Sequence, residues 1–162
     1  MKDKIDATLS TRKISVLGIS EANILKDDPE GSVKMRGFDL ITDNLFRTWG
    51  SARSAIYISD KFKYSIREDL MDDNTAEVWL EIEKSSNSGQ NLLFCQFYRE
   101  FSLLRGPRSV TGSGTHDAQK QRLLKWIDKV NTVIDEEKKD ILVGGDFNAD
   151  MMDIDSDVFA KL

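Results

Sequence analysis

At 162 residues, 40% of them hydrophobic and 31% charged, the chain is long enough for one domain with a real core and short for two. The formal net charge of −5 argues against a protein that coats nucleic acid, because such binding rests on phosphate neutralisation by Lys and Arg. It leaves room for an enzyme of phosphate esters whose acids are offset locally by a cation. The single cysteine, Cys95, excludes a disulfide framework within the chain and a cysteine-rich zinc site, and it suits a reducing, intracellular setting, nucleus or cytoplasm. No apolar run is long enough to span a bilayer, and MKDKIDATLSTRK at the N-terminus lacks a signal-peptide core.

In chain order, residues 3–11 fit a short amphipathic helix with Ile5 and Leu9 inward. ISVLGIS (14–20) is an apolar run of strand length that ends at Glu21. RGFDLITDN and SAIYISDKF alternate apolar and polar residues as strands do, and YSIRE continues the pattern. AEVWLEIE alternates with Val78, Leu80 and Ile82 on one face. SSNSGQN is a turn cluster, and LLFCQFYRE is the partner strand of a hairpin. RGPRSVTGSGT is a Gly- and Ser-rich loop. A helix is predicted from Thr115 to about Asp135, with Leu123, Ile127, Val130 and Ile134 at helical spacing. Thr115 is its expected N-cap, Asp117 lies in its first turn, and Lys138 and Lys139 near its end suit the helix dipole. DILVGGDFN reads as a buried strand, followed by an acidic tail, ADMMDIDSDVFAKL, without a strong period.

This order predicts sheet material covered by helices, an α/β or α+β layered domain spanning 1–162. The runs 14–20 and 141–145 are apolar throughout and are therefore expected to be central strands. Functional side chains gather where such strands end, which is where Glu21 and Asp146 fall.

A hydrophobic strand ending in Asp also occurs in nucleoside triphosphatases, but these need G-x-x-x-x-G-K-[ST], and GPRSVTGSGT has no Lys in place. Glu21 together with Asp146-x-Asn148 is a different set. Hard divalent cations prefer carboxylate oxygen, and magnesium takes one or two protein carboxylates plus water and substrate phosphate. An aspartate can orient or deprotonate a water, and an asparagine amide can hold a phosphate oxygen without adding charge. Taken singly, Glu21 reads as a surface residue and Asp146 as the start of a turn.

ILVGGDFNAD resembles the Gly-Asp-Phe-Asn motif of the endonuclease/exonuclease/phosphatase superfamily, VLGISEANI resembles its Ser-Glu motif, and FCQFYRE resembles its strand ending in Tyr. GSARSAIYIS through EVWLEI, YREFS and THDAQKQRLLKWIDKV are most similar to the endonuclease domain of non-LTR retrotransposon reverse-transcriptase polyproteins. The resemblance runs from about residue 12 to residue 152. It implies a four-layer α/β sandwich of the deoxyribonuclease I-like type and Mg²⁺-dependent (or Mn²⁺-dependent) hydrolysis of a phosphodiester in DNA. On that resemblance Glu21 holds the metal, Asp146 positions or activates water, Asn148 binds phosphate, and Tyr98 assists at the phosphate or leaving group. The partners implied are DNA and the reverse-transcriptase part of a polyprotein.

The pattern also departs from the family. Its opening strand with an active-site Asn and its closing Ser-Asp-His are not matched, so the chain is expected to be a piece truncated at both ends and impaired in activity. DSDV (155–158) has Val158 where His is required, and Asp153, Asp155 and Asp157 read as solvated loop. The one histidine, His116, reads as a first-turn residue of the helix rather than a base. Arg99, Arg105, Arg108, Lys120 and Arg122 could follow a nucleic-acid backbone near Tyr98, or could be a charge-balanced loop. Arg53 and Arg67 stand in no local pattern that assigns them a site role, and Trp49, Trp79 and Trp126 read as core or rim aromatics. Two other functions fit the same residues: a non-catalytic remnant acting as a binding or scaffold module, and a superfamily phosphatase or phospholipid diesterase.

Overall fold

The computed structural model describes residues 14–73, 75–84, 89–99 and 114–147, the side chains of 30, 31, 114–120 and 122 excepted. The predicted helix at 3–11 and the acidic tail lie outside the described residues. The elements are β1 (Val16–Leu25), α1 (Glu30–Val33), β2 (Phe38–Thr42), α2 (Leu45–Trp49), β3 (Ser51–Ser59), β4 (Tyr64–Ile66), a 3-10 turn (Glu68–Leu70), β5 (Ala76–Ile82), β6 (Leu92–Tyr98), α3 (Gly114–Glu137) and β7 (Asp140–Asp146). They divide into two compact units, one of Met1–Tyr98 with Asp140–Asp146, the other of Arg99–Lys139 with Phe147–Leu162.

The first unit holds two sheets, ordered β1-β3-β2 and β4-β5-β6-β7. Their strands are antiparallel except β6 and β7. A parallel neighbour requires a long crossover, and the connection between these two contains α3. The sheets face each other through Ile41, Ile56 and Ile58 on one side and Val78, Leu80 and Ile82 on the other. Ser54 Oγ donates to the Ala76 carbonyl across that gap at 2.9 Å. A second apolar cluster in the first sheet buries Ala22, Ile24, Ala52 and Ala55.

Two expectations change here. The runs 14–20 and 141–145 are apolar yet lie in β1 and β7, which are edge strands of the described sheets; β7 is only partly buried, and Leu142 is 54% exposed. An apolar run does not by itself say which edges of a strand are paired. Conversely, β5 alternates in sequence but is buried on both faces. Glu77 and Trp79 are fully buried, and Glu77 accepts from Trp79 Nε1 at 3.1 Å and from the Asp72 N–H at 3.0 Å. The YSIRE segment belongs to the second sheet, as β4.

In the second unit, α3 starts at Gly114, one residue before the expected cap Thr115. Its buried positions are Leu123, Trp126, Ile127 and Val133, whereas Ile134 is 46% exposed. The apolar stripe is thus rotated from the expected one because Trp126, with the larger apolar surface, takes the buried side. Trp126 also meets Phe147 edge-on at 5.6 Å. Lys138 ends the helix in a left-handed conformation, φ 51°, and its N–H bonds the Ile134 carbonyl.

Three features bring the middle of β1 to the ends of β6 and β7. The Ser20 hydroxyl accepts from Gln96 Nε2 at 2.9 Å and from the Asp146 N–H at 3.1 Å, and donates to the Phe97 carbonyl at a long 3.5 Å. A hydroxyl has one donor and two acceptor sites, so this one is fully used in joining three strands of two sheets. Gln96 is buried and reaches Ser20 only because Gly18 leaves room; a Cβ at Gly18 would sit 1.9 Å from Gln96 Oε1. Gly145, at φ 152°, passes so close to β6 that a Cβ would meet the Phe97 carbonyl oxygen at 1.9 Å.

Behind this end, Asp43 follows β2 at 1% exposure. Its Oδ2 accepts from the N–H groups of Ser54 at 2.5 Å and Arg53 at 2.8 Å, while Oδ1 has no hydrogen-bond partner among the described residues. Burial raises its pKa from 3.8 to about 6, against the opposing pull of the N–H groups of Ser54, Arg53, Phe46 and Leu45.

Replacing Ser20 by Ala leaves the Gln96 amide and the Asp146 N–H without their acceptor, and is expected to lower unfolding stability by about 2 kcal/mol, measured by urea denaturation. Gly145→Ala drives a methyl group into the Phe97 carbonyl and is expected to cost at least ~2 kcal/mol in the same assay. For Asp43 the folded state holds the proton more tightly than the unfolded chain. Its contribution to stability is therefore full below about pH 4 and lost as pH rises through about 6. At ~1.4 kcal/mol per pH unit, wild type should gain on the order of 2–3 kcal/mol relative to Asp43→Asn between pH 7 and pH 4. Parallel stability curves for the two proteins would contradict this.

Candidate active site

Glu21 does not end its strand. β1 continues to Leu25, and between the pairs Ser20↔Ser54 and Ile24↔Ala52 the three residues Glu21, Ala22 and Asn23 oppose the single residue Arg53. This bulge is built with Glu21 at φ 52° and Asn23 at φ 49°. Asparagine visits the left-handed region readily; glutamate does so at a cost of ~1 kcal/mol or more. Ala22 between them is buried and anchors the bulge in the apolar cluster of the first sheet. The result lifts the Glu21 side chain out of the strand into an exposed position.

Tyr98 closes β6 at 3% exposure and donates its hydroxyl hydrogen to Glu21 Oε1 at 2.6 Å. Burial raises the phenol pKa, the bonded and charged Glu21 carboxylate adds to that, and Arg53 opposes it. Tyr98 is therefore a hydrogen-bond donor at neutral pH and not a phenolate base. In the parallel register Tyr98 pairs with Asp146, whose N–H is held by the Ser20 hydroxyl next to Glu21. Glu21, Tyr98 and Asp146, widely separated in sequence, thus share one end of the unit. Glu21 and Asp146 are exposed.

The arrangement offers oxygen donors only, which suits a hard divalent cation rather than zinc. Among the described residues no three His, Cys, Asp or Glu converge.

Asn148, Arg105 and Arg108 lie outside the described residues, and Lys120 and Arg122 are in α3 with side chains outside that description. Arg99 follows β6 directly and is half-buried. His116 falls in the first turn of α3. Trp79 and Trp126 are buried, but Trp49 is 68% exposed. Sequence reading gave no role to Asn23, Arg53 or Gln96. The guanidinium of Arg53 lies 5.4 Å from the Tyr98 ring centroid, and its Nη1 donates to Asn23 Oδ1. The available signal was weak but real: Gln96 is the one polar residue within LLFCQFY, and Asn23 is a polar break two residues after Glu21. No helix among the described residues is long and apolar enough to cross a membrane.

Scanned against protein-family models the sequence matches none, and a search of curated proteins returns no match. Among solved structures, the chain is similar to the endonuclease domain of TRAS1, a telomere-specific non-LTR retrotransposon. The TM-score is 0.64 and the sequence identity 15%, with 98% of this chain and 62% of that one covered. The chain therefore spans less than two thirds of that structure. At this identity the likeness is one of fold: a mixed α/β architecture with two sheets, of the deoxyribonuclease I-like endonuclease type.

Proposed function

We propose that this chain is a magnesium-dependent phosphodiester hydrolase domain that acts on DNA, of the retrotransposon endonuclease kind. The observation that carries the reading is the 2.6 Å bond from Tyr98 to Glu21 at the strand end that also holds Asp146. Three residue types suited to metal-assisted phosphodiester cleavage come there from three strands. The similarity in fold to the TRAS1 endonuclease domain supports it.

In this reading Glu21 holds the cation, with Asp146 exposed nearby to orient the attacking water. A bound divalent ion supplies Lewis-acid polarisation of a phosphoryl oxygen and a more acidic water. Tyr98, kept protonated, donates to a phosphate oxygen or steadies the Glu21 carboxylate. Asn148, two residues past Asp146, contributes a neutral amide to the phosphate. Arg99, Arg105, Arg108, Lys120 and Arg122 follow the DNA backbone. The reverse-transcriptase part of a polyprotein is the expected partner, inside the cell, in nucleus or cytoplasm. A second reading, a binding module that keeps the fold without hydrolysis, is favoured by the chemistry of the single histidine: His116 belongs to the first turn of α3 and not to the strands that carry Glu21, Tyr98 and Asp146.

The test is nicking of supercoiled plasmid by the purified chain with Mg²⁺, beside EDTA and Asp146→Ala. Metal-dependent nicking that falls at least ~100-fold in the variant is the expected result. A chain folded by circular dichroism that nicks no better than Asp146→Ala would sink the hydrolase reading and leave the binding module.

A further inference from the structure

The bulge that presents Glu21 carries a closed circuit of side-chain contacts. Tyr98 donates to Glu21 Oε1 at 2.6 Å. The Arg53 guanidinium lies against the Tyr98 ring, 5.4 Å from its centroid. Arg53 Nη1 donates to Asn23 Oδ1, and Asn23 Nδ2 donates to the Glu21 carbonyl at 3.0 Å. Each end of the Asn23 amide is thereby engaged, and turning it over would set donor against donor. Arg53 is the one residue opposite the three-residue bulge, and its backbone N–H is held by the buried Asp43 carboxylate at 2.8 Å.

We infer that Asn23 and Arg53 are positioning residues of this site: they clamp the β1 bulge so that the Glu21 carboxylate stays directed at Tyr98 and ready for a divalent cation. The inference rests on the reading of Glu21 as a cation ligand. The bulge needs such a clamp because Glu21 sits in a backbone conformation that its side chain disfavours, and a free strand would relax it. Arginine suits the task for a reason of shape. Its planar guanidinium can lie on a ring and donate in its own plane at once, whereas a lysine ammonium is a point charge with no such fork. Asparagine suits its position because it tolerates φ near 49° and offers a donor and an acceptor. The role is separable from charge. Loss of a positive charge near Glu21 would by itself tighten a cation, whereas loss of the clamp loosens it.

The experiment measures Mn²⁺ binding by electron paramagnetic resonance in wild type, Glu21→Gln, Arg53→Lys and Asn23→Gly. Hydrogen exchange of residues 20–25 is followed in parallel. The lysine variant keeps the charge, and glycine keeps the left-handed backbone. Both are expected to weaken Mn²⁺ binding ~10-fold and to speed exchange in the bulge while β5 stays protected. If Glu21→Gln loses Mn²⁺ but Arg53→Lys and Asn23→Gly bind it as wild type does, the positioning role is wrong and the reading of Glu21 stands. If wild type binds no Mn²⁺, or Glu21→Gln binds it equally, the cation reading fails. Exchange then decides the clamp alone: unchanged exchange in both variants overturns it, and faster exchange confined to the bulge upholds it as what fixes Glu21.

Discussion

One hydroxyl fixes the place where three strands of the first unit meet. Ser20 Oγ sits where β1 of one sheet meets β6 and β7 of the other, and it spends both lone pairs and its proton on Gln96, Asp146 and Phe97. Sheets packed face to face are held by apolar contacts, which are non-directional and tolerate sliding. A saturated hydroxyl at the rim does not. It ties the middle of β1 to the ends of β6 and β7, and so the position of Glu21 to those of Tyr98 and Asp146. The glycines at 18 and 145 serve the same end: one admits the Gln96 side chain, the other lets β7 press against the backbone of β6.

On this fixed rim the molecule places a strained segment. Two left-handed residues within three positions are unusual for a strand, and neither is glycine. Strain of this kind persists only where its surroundings over-determine it. Here they do: Ala22 is buried below, Arg53 stands opposite, and Tyr98 and Asn23 bond to the two ends of Glu21. Asp43 belongs to the same construction one layer down. Its carboxylate is held in a buried place by the N–H groups of Arg53 and Ser54, which fixes the start of β3 at the expense of an acid with a raised pKa.

Local pattern carried the element order. The turn cluster at 85–91 between AEVWLEIE and LLFCQFY predicts the hairpin that β5 and β6 form, and the helical spacing after residue 115 predicts α3. What local pattern could not carry is who lies beside whom. Among the described strands β1 and β7, apolar like central strands, stand at the ends of their sheets, and Glu77 alternates like a surface residue and is buried, because lateral pairing and burial of a second face are decided by distant segments. The candidate site divides the same way. Glu21, Tyr98 and Asp146 stand out in sequence through a resemblance, and the fold gathers them. Asn23, Arg53 and Gln96 acquire meaning only through contacts 30, 45 and 76 residues away in the chain. The bulge itself had no sequence signal beyond a polar interruption in an apolar strand.

The likeness to an endonuclease domain concerns shape; the proposed chemistry is placed at the Glu21, Tyr98 and Asp146 rim. The most direct test of that claim is a crystal of the chain soaked in Mn²⁺ and read by anomalous scattering. The account predicts a peak at about 2.0–2.3 Å from a Glu21 carboxylate oxygen, with Tyr98 still bonded to that carboxylate and Asp146 facing the ion. An anomalous map with no peak at Glu21, or with Mn²⁺ bound only at acids remote from Tyr98, would contradict it.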